Sequence, residues 1–206
     1  MIPDADGYLV FDTAIGHCGL AWGERGITGV LLPEDSEDET RRRMRRLHPM
    51  LAEMTSHACG DGWSPEPLVS GRPQVPLFVR TAVARIRGLL RGEKDDLLDL
   101  VLDMSELPAF HRRVYLLVRQ VGPGETTTYG ELASRLNEPA AARAVGQALA
   151  KNPFAPVVPC HRVLAAGSRP LGYGAGGFSA GGGVVTKLRM LQIEGARLSR
   201  APGLFD

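Results

Sequence analysis

The chain has 206 residues, 44% of them hydrophobic and 23% charged, with a formal net charge of +1. This composition predicts an ordinary globular protein with one sizeable domain or two small ones. No apolar run is long enough to span a bilayer, and the first residues lack the basic and apolar segments of a signal peptide, so we expect a cytoplasmic protein that does not associate with membranes.

The cysteines stand at positions 18, 59 and 160, an odd number without regular spacing. They do not form a disulfide framework, which fits a reducing compartment. Cys18, Cys59, His17, His48 and His57 include enough donors for a zinc ion, but their spacing matches no standard zinc motif. We therefore predict no metal and no cofactor.

The front of the chain predicts a three-stranded meander. Three short β-rich runs cover residues 8–12, 18–22 and 27–32, and glycine-containing turns separate them. Ser36 and Glu39 then predict a capping box that opens an arginine-rich helix ending near Met54. Its buried face is expected to consist of Met44, Leu47 and Leu51. Acidic residues precede the arginines at helical spacing, which favours a surface of ion pairs over a nucleic-acid site.

Residues 55–76 are rich in glycine and proline and resemble a linker. A helix over 77–90, a strand near 98–102 and a helix over 109–121 are predicted to follow.

Acidic and basic residues are distributed unevenly along the chain. Residues 1–110 contain 12 Lys and Arg against 18 Asp and Glu, a net charge of −6, whereas residues 111–170 contain eight against three, a net charge of +5. The eight basic residues of the second segment are Arg112, Arg113, Arg119, Arg135, Arg143, Lys151, Arg162 and Arg169. This distribution favours DNA binding by the second segment, with a solvated basic face as the alternative.

That basic segment also contains two short predicted helices joined by a tight turn. Thr128 and Glu131 predict a capping box for the first helix, and Pro139 suits the first turn of the second. Buried positions are predicted at Leu132, Ala133 and Leu136 on the first helix, and at Ala142, Val145 and Leu149 on the second. The spacing is typical of a helix-turn-helix, although any packed helical hairpin can show it.

The run Pro156–Val163 contains Pro159, Cys160 and His161 in succession. A thiolate is a strong nucleophile, and a nearby imidazole is a common proton acceptor for it. If the segment is extended, Cys160 and His161 point to opposite faces, so a water or a turn must join them. The alternative is a cysteine that serves only as a small buried apolar side chain.

Taken together, these motifs resemble the O6-alkylguanine-DNA alkyltransferases, also called methylated-DNA-protein-cysteine methyltransferases. The resemblance covers about residues 105–196. It is carried by the motifs at Thr128–Ala133, Ala142–Gly146, Asn152-Pro153, Pro159–Val163 and Lys187–Gly195.

The resemblance implies a reaction and a set of roles. Cys160 accepts the alkyl group, His161 acts as its base through a water, Glu194 orients His161, and Asn152 holds the turn before the active-site segment. The target nucleotide must be flipped out of the duplex, because a stacked base cannot reach the thiol. Arg143 is implied to fill the vacated place, and Tyr129 to crowd the phosphate. Thr128, Ala142 and Gly146 complete the implied DNA-contacting set.

The glycine-rich loop at 172–183 is implied to wall the pocket together with Val163. The loop departs from the common pattern of the family, because both Tyr173 and Phe178 are candidates for its aromatic residue. Phe178 followed by Ser179 leaves fewer gaps before Lys187. The loop lacks the ending of a P-loop, so a nucleotide site is not favoured.

We therefore expect an α/β protein. Residues 1–104 are predicted to form a small ribonuclease-H-like α/β domain. Residues 105–206 are predicted to form a mostly helical domain with a winged-helix-like helix-turn-helix. The expected function is single-turnover transfer of an alkyl group from O6-alkylguanine, with O4-alkylthymine as a further substrate, by a monomer acting on double-stranded DNA. The alternatives are a non-catalytic sensor of alkylated DNA, a helix-turn-helix regulator and a thiol hydrolase.

Overall fold

The computed structural model describes residues 6–54, 75–165, 178 and 181–196. Most of the predicted linker, most of the glycine-rich loop, His57 and Cys59 therefore lie outside the described residues.

The front of the chain forms the predicted antiparallel meander of β1 (Gly7–Thr13), β2 (Gly16–Gly23) and β3 (Gly26–Leu31). Gly16 and Gly26 begin their strands at φ values of 125° and 128°, which favour glycine. A short strand that was not predicted, β4 (Ala52–Glu53), pairs in parallel with β1 and completes the order β3-β2-β1-β4.

The arginine-rich helix α1 (Glu37–Leu47) begins as predicted, with the Ser36 side chain accepting a hydrogen bond from the Glu39 amide. It does not continue to Met54, because Pro49 disfavours a helical conformation at His48 and has no amide proton to donate. Met44 is buried as predicted, but Leu47 is 54% exposed and Leu51 is only partly buried.

The prediction that the arginines of α1 form a surface of ion pairs is confirmed for four of the five. Arg41 pairs with Glu37 and Glu53, while Arg42 pairs with Glu39. The remaining pairs of this surface are Arg43 with Glu34 and Arg45 with Glu53.

Helix α2 (Leu77–Arg91) matches the predicted helix to within one residue and ends at Gly92, which has a φ of 103°. The predicted strand over 98–102 is wrong. Leu102 makes only an isolated bridge to Ile27. The carbonyls of Leu97, Leu98 and Leu100 accept hydrogen bonds from the buried Arg119 side chain, so they are not available to a strand ladder.

Helix α3 (Ala109–Val118) ends three residues before the predicted Val121. Beyond Val118 the hydrogen bonding becomes that of a 3-10 turn, because the amides of Gln120 and Val121 donate to carbonyls three residues earlier.

The predicted helical hairpin is present. Strand β5 (Thr127–Thr128) leads into α4 (Tyr129–Arg135), which has the predicted capping box of Thr128 and Glu131. Asn137 makes the turn with a φ of 61°. Pro139 opens a short 3-10 turn, Pro139–Ala141, rather than the helix itself, and α5 (Ala142–Ala150) follows.

The buried positions of α4 are the predicted Leu132, Ala133 and Leu136, whereas α5 buries Val145, Ala148 and Leu149 and leaves Ala142 partly exposed. Strand β6 (Val163–Leu164) pairs in parallel with β5, and α6 (Gly183–Ile193) is the last described helix. The entrance of the hairpin is thereby hydrogen-bonded to the segment that follows Cys160.

One hydrophobic cluster extends across the two halves of the chain. It joins Trp22 and Ile27 of the sheet, Ile86 of α2, Val114 of α3 and Phe154 of the loop 151–159 that follows α5. The sheet also touches that loop directly, because the Val30 amide donates to the Pro153 carbonyl at 2.7 Å. The boundary between residues 104 and 105 stays a prediction.

None of the described helices combines the length and the apolar character needed to cross a membrane. Within residues 6–54, 75–165, 178 and 181–196, no three His, Cys, Asp or Glu side chains group in a way that suits a metal ion.

Candidate active site

Cys160 opens a buried 3-10 turn, Cys160–Arg162, so the turn is present that the sequence analysis gave as one of two ways to join Cys160 and His161. The Arg162 amide donates to the Pro159 carbonyl at 2.9 Å, which closes the turn. The segment is therefore not extended at Cys160 and His161. Pro159, with a φ of −80°, leads the chain into the turn.

His161 is fully buried, and its Nε2 lies 2.9 Å from Oε1 of Glu194. An ionised carboxylate only accepts hydrogen bonds, so Nε2 carries the proton of the neutral ring and Nδ1 is left as an acceptor. Nδ1 has no hydrogen-bond partner among the described residues. Burial is the largest influence on the pKa of His161 and lowers it; Arg162 and Lys187 lower it further, and together these effects outweigh the opposing effect of Glu194. The ring is thus held in the tautomer that can take a proton.

Glu194 caps the carboxyl end of α6, where Gly195 adopts a φ of 71°. Arg162 donates to both of its oxygens, from Nε to Oε2 at 2.9 Å and from Nη2 to Oε1 at 2.7 Å. The Gly124 amide adds a longer contact to Oε2 at 3.3 Å. Burial alone would raise the pKa of Glu194, but the hydrogen bonds from His161 and Arg162 outweigh it and lower the pKa to about 2.

Asn152 connects the end of α5 to the active-site turn. Its Nδ2 donates to the Val158 carbonyl at 2.8 Å, and its Oδ1 accepts from the Phe154 amide at 3.0 Å. Burial raises the pKa of the Cys160 thiol, and a hydrogen bond from Asn152 opposes that rise. Asn152 therefore both holds the bend and interacts with the thiol.

Lys187 of α6 is also fully buried, and its Nζ donates to the Val163 carbonyl at 2.7 Å. Burial lowers the pKa of Lys187 to about 8, while the neighbouring Cys160 raises it. Conversely, the Lys187 ammonium favours the thiolate of Cys160. A buried cation therefore stands within electrostatic reach of the nucleophile.

Two tyrosines also interact electrostatically with Cys160. Tyr115 of α3 donates from its hydroxyl to the Ala148 carbonyl at 2.8 Å, and burial raises its pKa to about 12. Tyr129, the first residue of α4, is half-buried, and burial likewise raises its pKa. In both cases the charge of Cys160 adds to the rise.

The implied DNA-contacting residues lie around the helical hairpin. Arg143 is exposed on α5 and makes no hydrogen bond or ion pair with a described residue. Gly146 lies beside Tyr129, because a Cβ built on it would be 3.8 Å from the tyrosine ring. The Thr128 hydroxyl accepts from the Glu131 amide in the helix cap. Ala142 is partly exposed at the start of α5.

The basic segment presents less charge to solvent than its sequence suggests. Arg119 and Arg162 are 8% and 1% exposed and serve internal carbonyls and Glu194, so they cannot contact phosphates. Arg112, Arg113, Arg135, Arg143 and Lys151 remain exposed. Arg113 pairs with Glu138 and also donates to the Leu136 carbonyl.

Two of the four implied pocket residues are described. Val163 is fully buried in β6, and Phe178 is partly buried against the main hydrophobic cluster. Tyr173 and Ser179 lie outside the described residues.

The sequence analysis missed the positions of Arg162, Lys187 and Tyr115. For Lys187 a signal was present: it precedes Glu194 by seven residues on one helix, so both side chains share a face with the apolar Met190 and Leu191. A lysine on an otherwise buried face is an informative exception.

Comparison with known proteins gives a consistent result. The family model described as 6-O-methylguanine DNA methyltransferase, DNA binding domain, matches residues 109–196. A methylated-DNA–protein-cysteine methyltransferase of Mycobacterium bovis is 34% identical over 200 residues, covering 97% of this chain and 98% of that relative. One from Mycolicibacterium paratuberculosis is 37% identical over 141 residues, covering 68% of this chain and 80% of that relative.

Solved structures agree over nearly the whole length. The crystal structure of Mycobacterium tuberculosis O6-methylguanine methyltransferase has a TM-score of 0.63 and 29% identity, covering 98% of this chain and 99% of that chain. The M. tuberculosis protein in complex with DNA has a TM-score of 0.63 and 27% identity, covering 91% of this chain and 92% of that chain. The chain thus belongs to the methylated-DNA–protein-cysteine methyltransferase family.

Proposed function

We propose that this protein repairs DNA by transferring an alkyl group, usually methyl, from O6-alkylguanine to the sulphur of Cys160. The observation that carries the proposal is the buried arrangement of Cys160, His161 and Glu194, in which the carboxylate fixes the imidazole and leaves Nδ1 as an acceptor.

The proton moves first. His161 Nδ1 takes the thiol proton of Cys160 through one water, which leaves a thiolate beside Lys187 and an imidazolium beside Glu194. The sulphur then forms a bond to the alkyl carbon while the bond from that carbon to O6 breaks. The electron pair goes to guanine, which takes up one proton from water while the imidazolium of His161 returns its proton to water, so the products are guanine and an S-alkylcysteine.

Because the Cys160 thiol is buried, the alkylated nucleobase must leave the duplex to reach it. A flipped nucleotide meets this need, with Arg143 filling the vacated place in the stack and Tyr129 assisting the rotation. Thr128, Ala142 and Gly146 form the close-approach surface of the hairpin. Val163 and the loop residues Tyr173, Phe178 and Ser179 are proposed to wall the pocket.

Each molecule acts once, because a thioether is a poor leaving group and nothing among the described residues offers a route to regenerate the thiol. We further propose a monomer that works in the cytoplasm without a cofactor. Its front half, residues 1–104, is proposed to be a ribonuclease-H-like domain, and residues 105–206 a winged-helix-like domain. O4-alkylthymine is a further proposed substrate.

Intact-protein mass spectrometry tests the transfer. The protein is incubated with a duplex that contains one O6-methylguanine and is then digested for peptide mapping. We expect a gain of one methyl group that saturates at one per protein and maps to the Cys160 peptide. An unchanged mass together with preferential binding of the modified duplex would instead identify a lesion sensor.

Two cysteine variants sharpen this test. Cys160→Ala should abolish transfer while duplex binding persists. Cys18→Ala is the matched control, because Cys18 is also buried and its pKa is raised to about 12 by burial in the sheet. It should transfer normally, and a methyl group mapped to Cys18 would overturn the assignment.

Arg143→Ala separates nucleotide flipping from chemistry. The variant should react far more slowly with a modified duplex but react normally with free O6-methylguanine base. Equal losses in the two single-turnover assays would contradict the proposed role of Arg143.

A further inference from the structure

Arg162 follows His161 directly, yet its side chain turns inward and is 1% exposed. Its guanidinium binds Glu194 through two nitrogens, and Nη1 donates to the Val121 carbonyl at 2.5 Å. A two-pronged contact of this kind fixes both the position and the plane of a carboxylate. Arg162 therefore spans the space between the end of α3 and the end of α6.

One oxygen of Glu194 contacts both Arg162 and the imidazole of His161. Glu194 Oε1 accepts from Arg162 Nη2 at 2.7 Å and lies 2.9 Å from His161 Nε2. A guanidinium keeps its charge at any ordinary pH. Glu194 and Arg162 thus form a neutral pair before any charge appears on His161.

Without that cation, Glu194 would be a buried negative charge whose nearest partner is an imidazole. Such a site favours moving a proton onto the ring, because a buried charge is costly unless it is paired. An imidazolium donates from both nitrogens and has no acceptor left. It could not take the thiol proton.

We propose that Arg162 is a positioning residue that balances the charge of Glu194 and thereby reserves Nδ1 of resting His161 as the proton acceptor for Cys160. This inference rests on the proposed function. Arg162 does not touch the thiol or the alkyl group. It acts through Glu194: its two hydrogen bonds fix the orientation of the carboxylate, and its positive charge balances the negative charge of that carboxylate.

The charged groups that face His161 support this role. Glu194 at the end of α6 raises the pKa of His161, whereas Arg162 of the active-site turn and Lys187 of α6 both lower it, in addition to the effect of burial. Cys160 is the adjacent residue of the same turn, and its charge raises the pKa values of Tyr115 and Tyr129. Among these groups, Arg162 is the cation that binds Glu194 directly.

The test is the pH profile of single-turnover transfer to a modified duplex. Arg162→Met should shift the acid limb to higher pH by about one unit or more, so that transfer at neutral pH falls by about tenfold and recovers at alkaline pH. Arg162→Lys keeps the charge but loses the two-pronged contact. The acid limb of its pH profile should lie between those of Arg162→Met and the wild type.

The double variant Arg162→Met with Glu194→Gln removes both charges together. Its acid limb should return to the wild-type position or below, because no carboxylate remains to draw a proton onto His161. Arg119→Met is the matched control: it also removes a buried arginine, but one that binds loop carbonyls, and its acid limb should not move.

A folded Arg162→Met variant with an unchanged acid limb would overturn the inference. If that variant does not fold, nitrogen NMR of resting wild-type His161 decides, since the inference requires a neutral ring protonated at Nε2 at neutral pH. An imidazolium there would overturn it. Failure of the wild-type protein to gain a methyl group would instead refute the proposed function, while the NMR result would still test the charge balance.

Discussion

The carboxylate of Glu194 has the lowest pKa within the candidate site, near 2, because its oxygens are hydrogen-bonded by His161 and Arg162. An isolated glutamate in the unfolded chain titrates near 4.5. The folded state therefore binds fewer protons between these values, and Glu194 contributes stability that is complete above the higher value and is lost as the pH falls toward the lower one.

This linkage predicts a pH-dependent difference in the free energy of unfolding between wild type and Glu194→Gln. The advantage of the wild type should be constant above about pH 5 and shrink on acidification toward pH 2. Urea denaturation at a series of pH values measures it. Glu138→Gln, at a partly exposed ion pair with Arg113, is the control and should show little change. A wild-type advantage that stays flat across this range would refute the linkage.

Lys187 carries a second prediction at the residue scale. Its replacement by Met removes the buried cation that favours the Cys160 thiolate, so the pKa of the thiol should rise and transfer at neutral pH should slow. The thiolate absorbance, taken as a difference from the matching Cys160→Ala protein, measures the midpoint. Lys187→Arg retains the charge and should shift it less. A midpoint that does not move in Lys187→Met would rule out this electrostatic role.

At the scale of elements, Gly146 lies on the side of helix α5 that faces Tyr129. A methyl group at Gly146 would lie 3.8 Å from the ring, an ordinary contact, so the fold has room for alanine. Gly146→Ala should raise the stability by about 0.5–1 kcal/mol, because alanine loses less backbone freedom in a helix. We expect slower repair of the duplex at the same time, since the added methyl group thickens the proposed contact surface.

Thermal unfolding and duplex single-turnover rates measure the two effects of Gly146→Ala. Gly130→Ala in α4, where no atom lies within 4 Å of the new methyl group, calibrates the gain in stability. Faster or unchanged duplex repair would argue against close approach of α5 to DNA.

The elements also show how far sequence patterns reach. Local signals sufficed for the meander, for the start of α1 and for the cap of α4, because glycine turns and side-chain caps act within a few residues. The strand predicted at 98–102 failed for a distant reason: Arg119, about twenty residues later, takes the carbonyls that a strand would need. The end of α1 was predictable in principle from Pro49.

The candidate site likewise contains residues that local sequence signals identify and residues that they do not. Cys160 and His161 stand out from their neighbours, and Glu194 was placed by its resemblance to a family motif. The charge pairing of Arg162 is not visible in sequence, because the adjacent residues His161 and Arg162 meet one carboxylate more than thirty residues away. Only the 3-10 turn directs both side chains toward it.

At the scale of the whole molecule, Arg119 ties α3 to the loop that precedes it. Its Nη2 group donates to three carbonyls at 2.7–3.0 Å. Arg119→Met should lower the free energy of unfolding by about 2–4 kcal/mol, because buried carbonyls lose their donor. Denaturation curves measure this loss. A loss well below this range would mean that water or another donor replaces the guanidinium.

Strand β3 lies at the edge of its sheet, and two of its residues make backbone hydrogen bonds on the outer side. Ile27 exchanges hydrogen bonds with the 101–103 segment, and Val30 donates to Pro153 beside the active-site turn. An uncovered edge strand is a template for pairing with other chains. Residues 1–104 produced alone would keep the cover at Ile27 but lose the contact of Val30 with Pro153, so they should self-associate through this part of the β3 edge more readily than the whole protein.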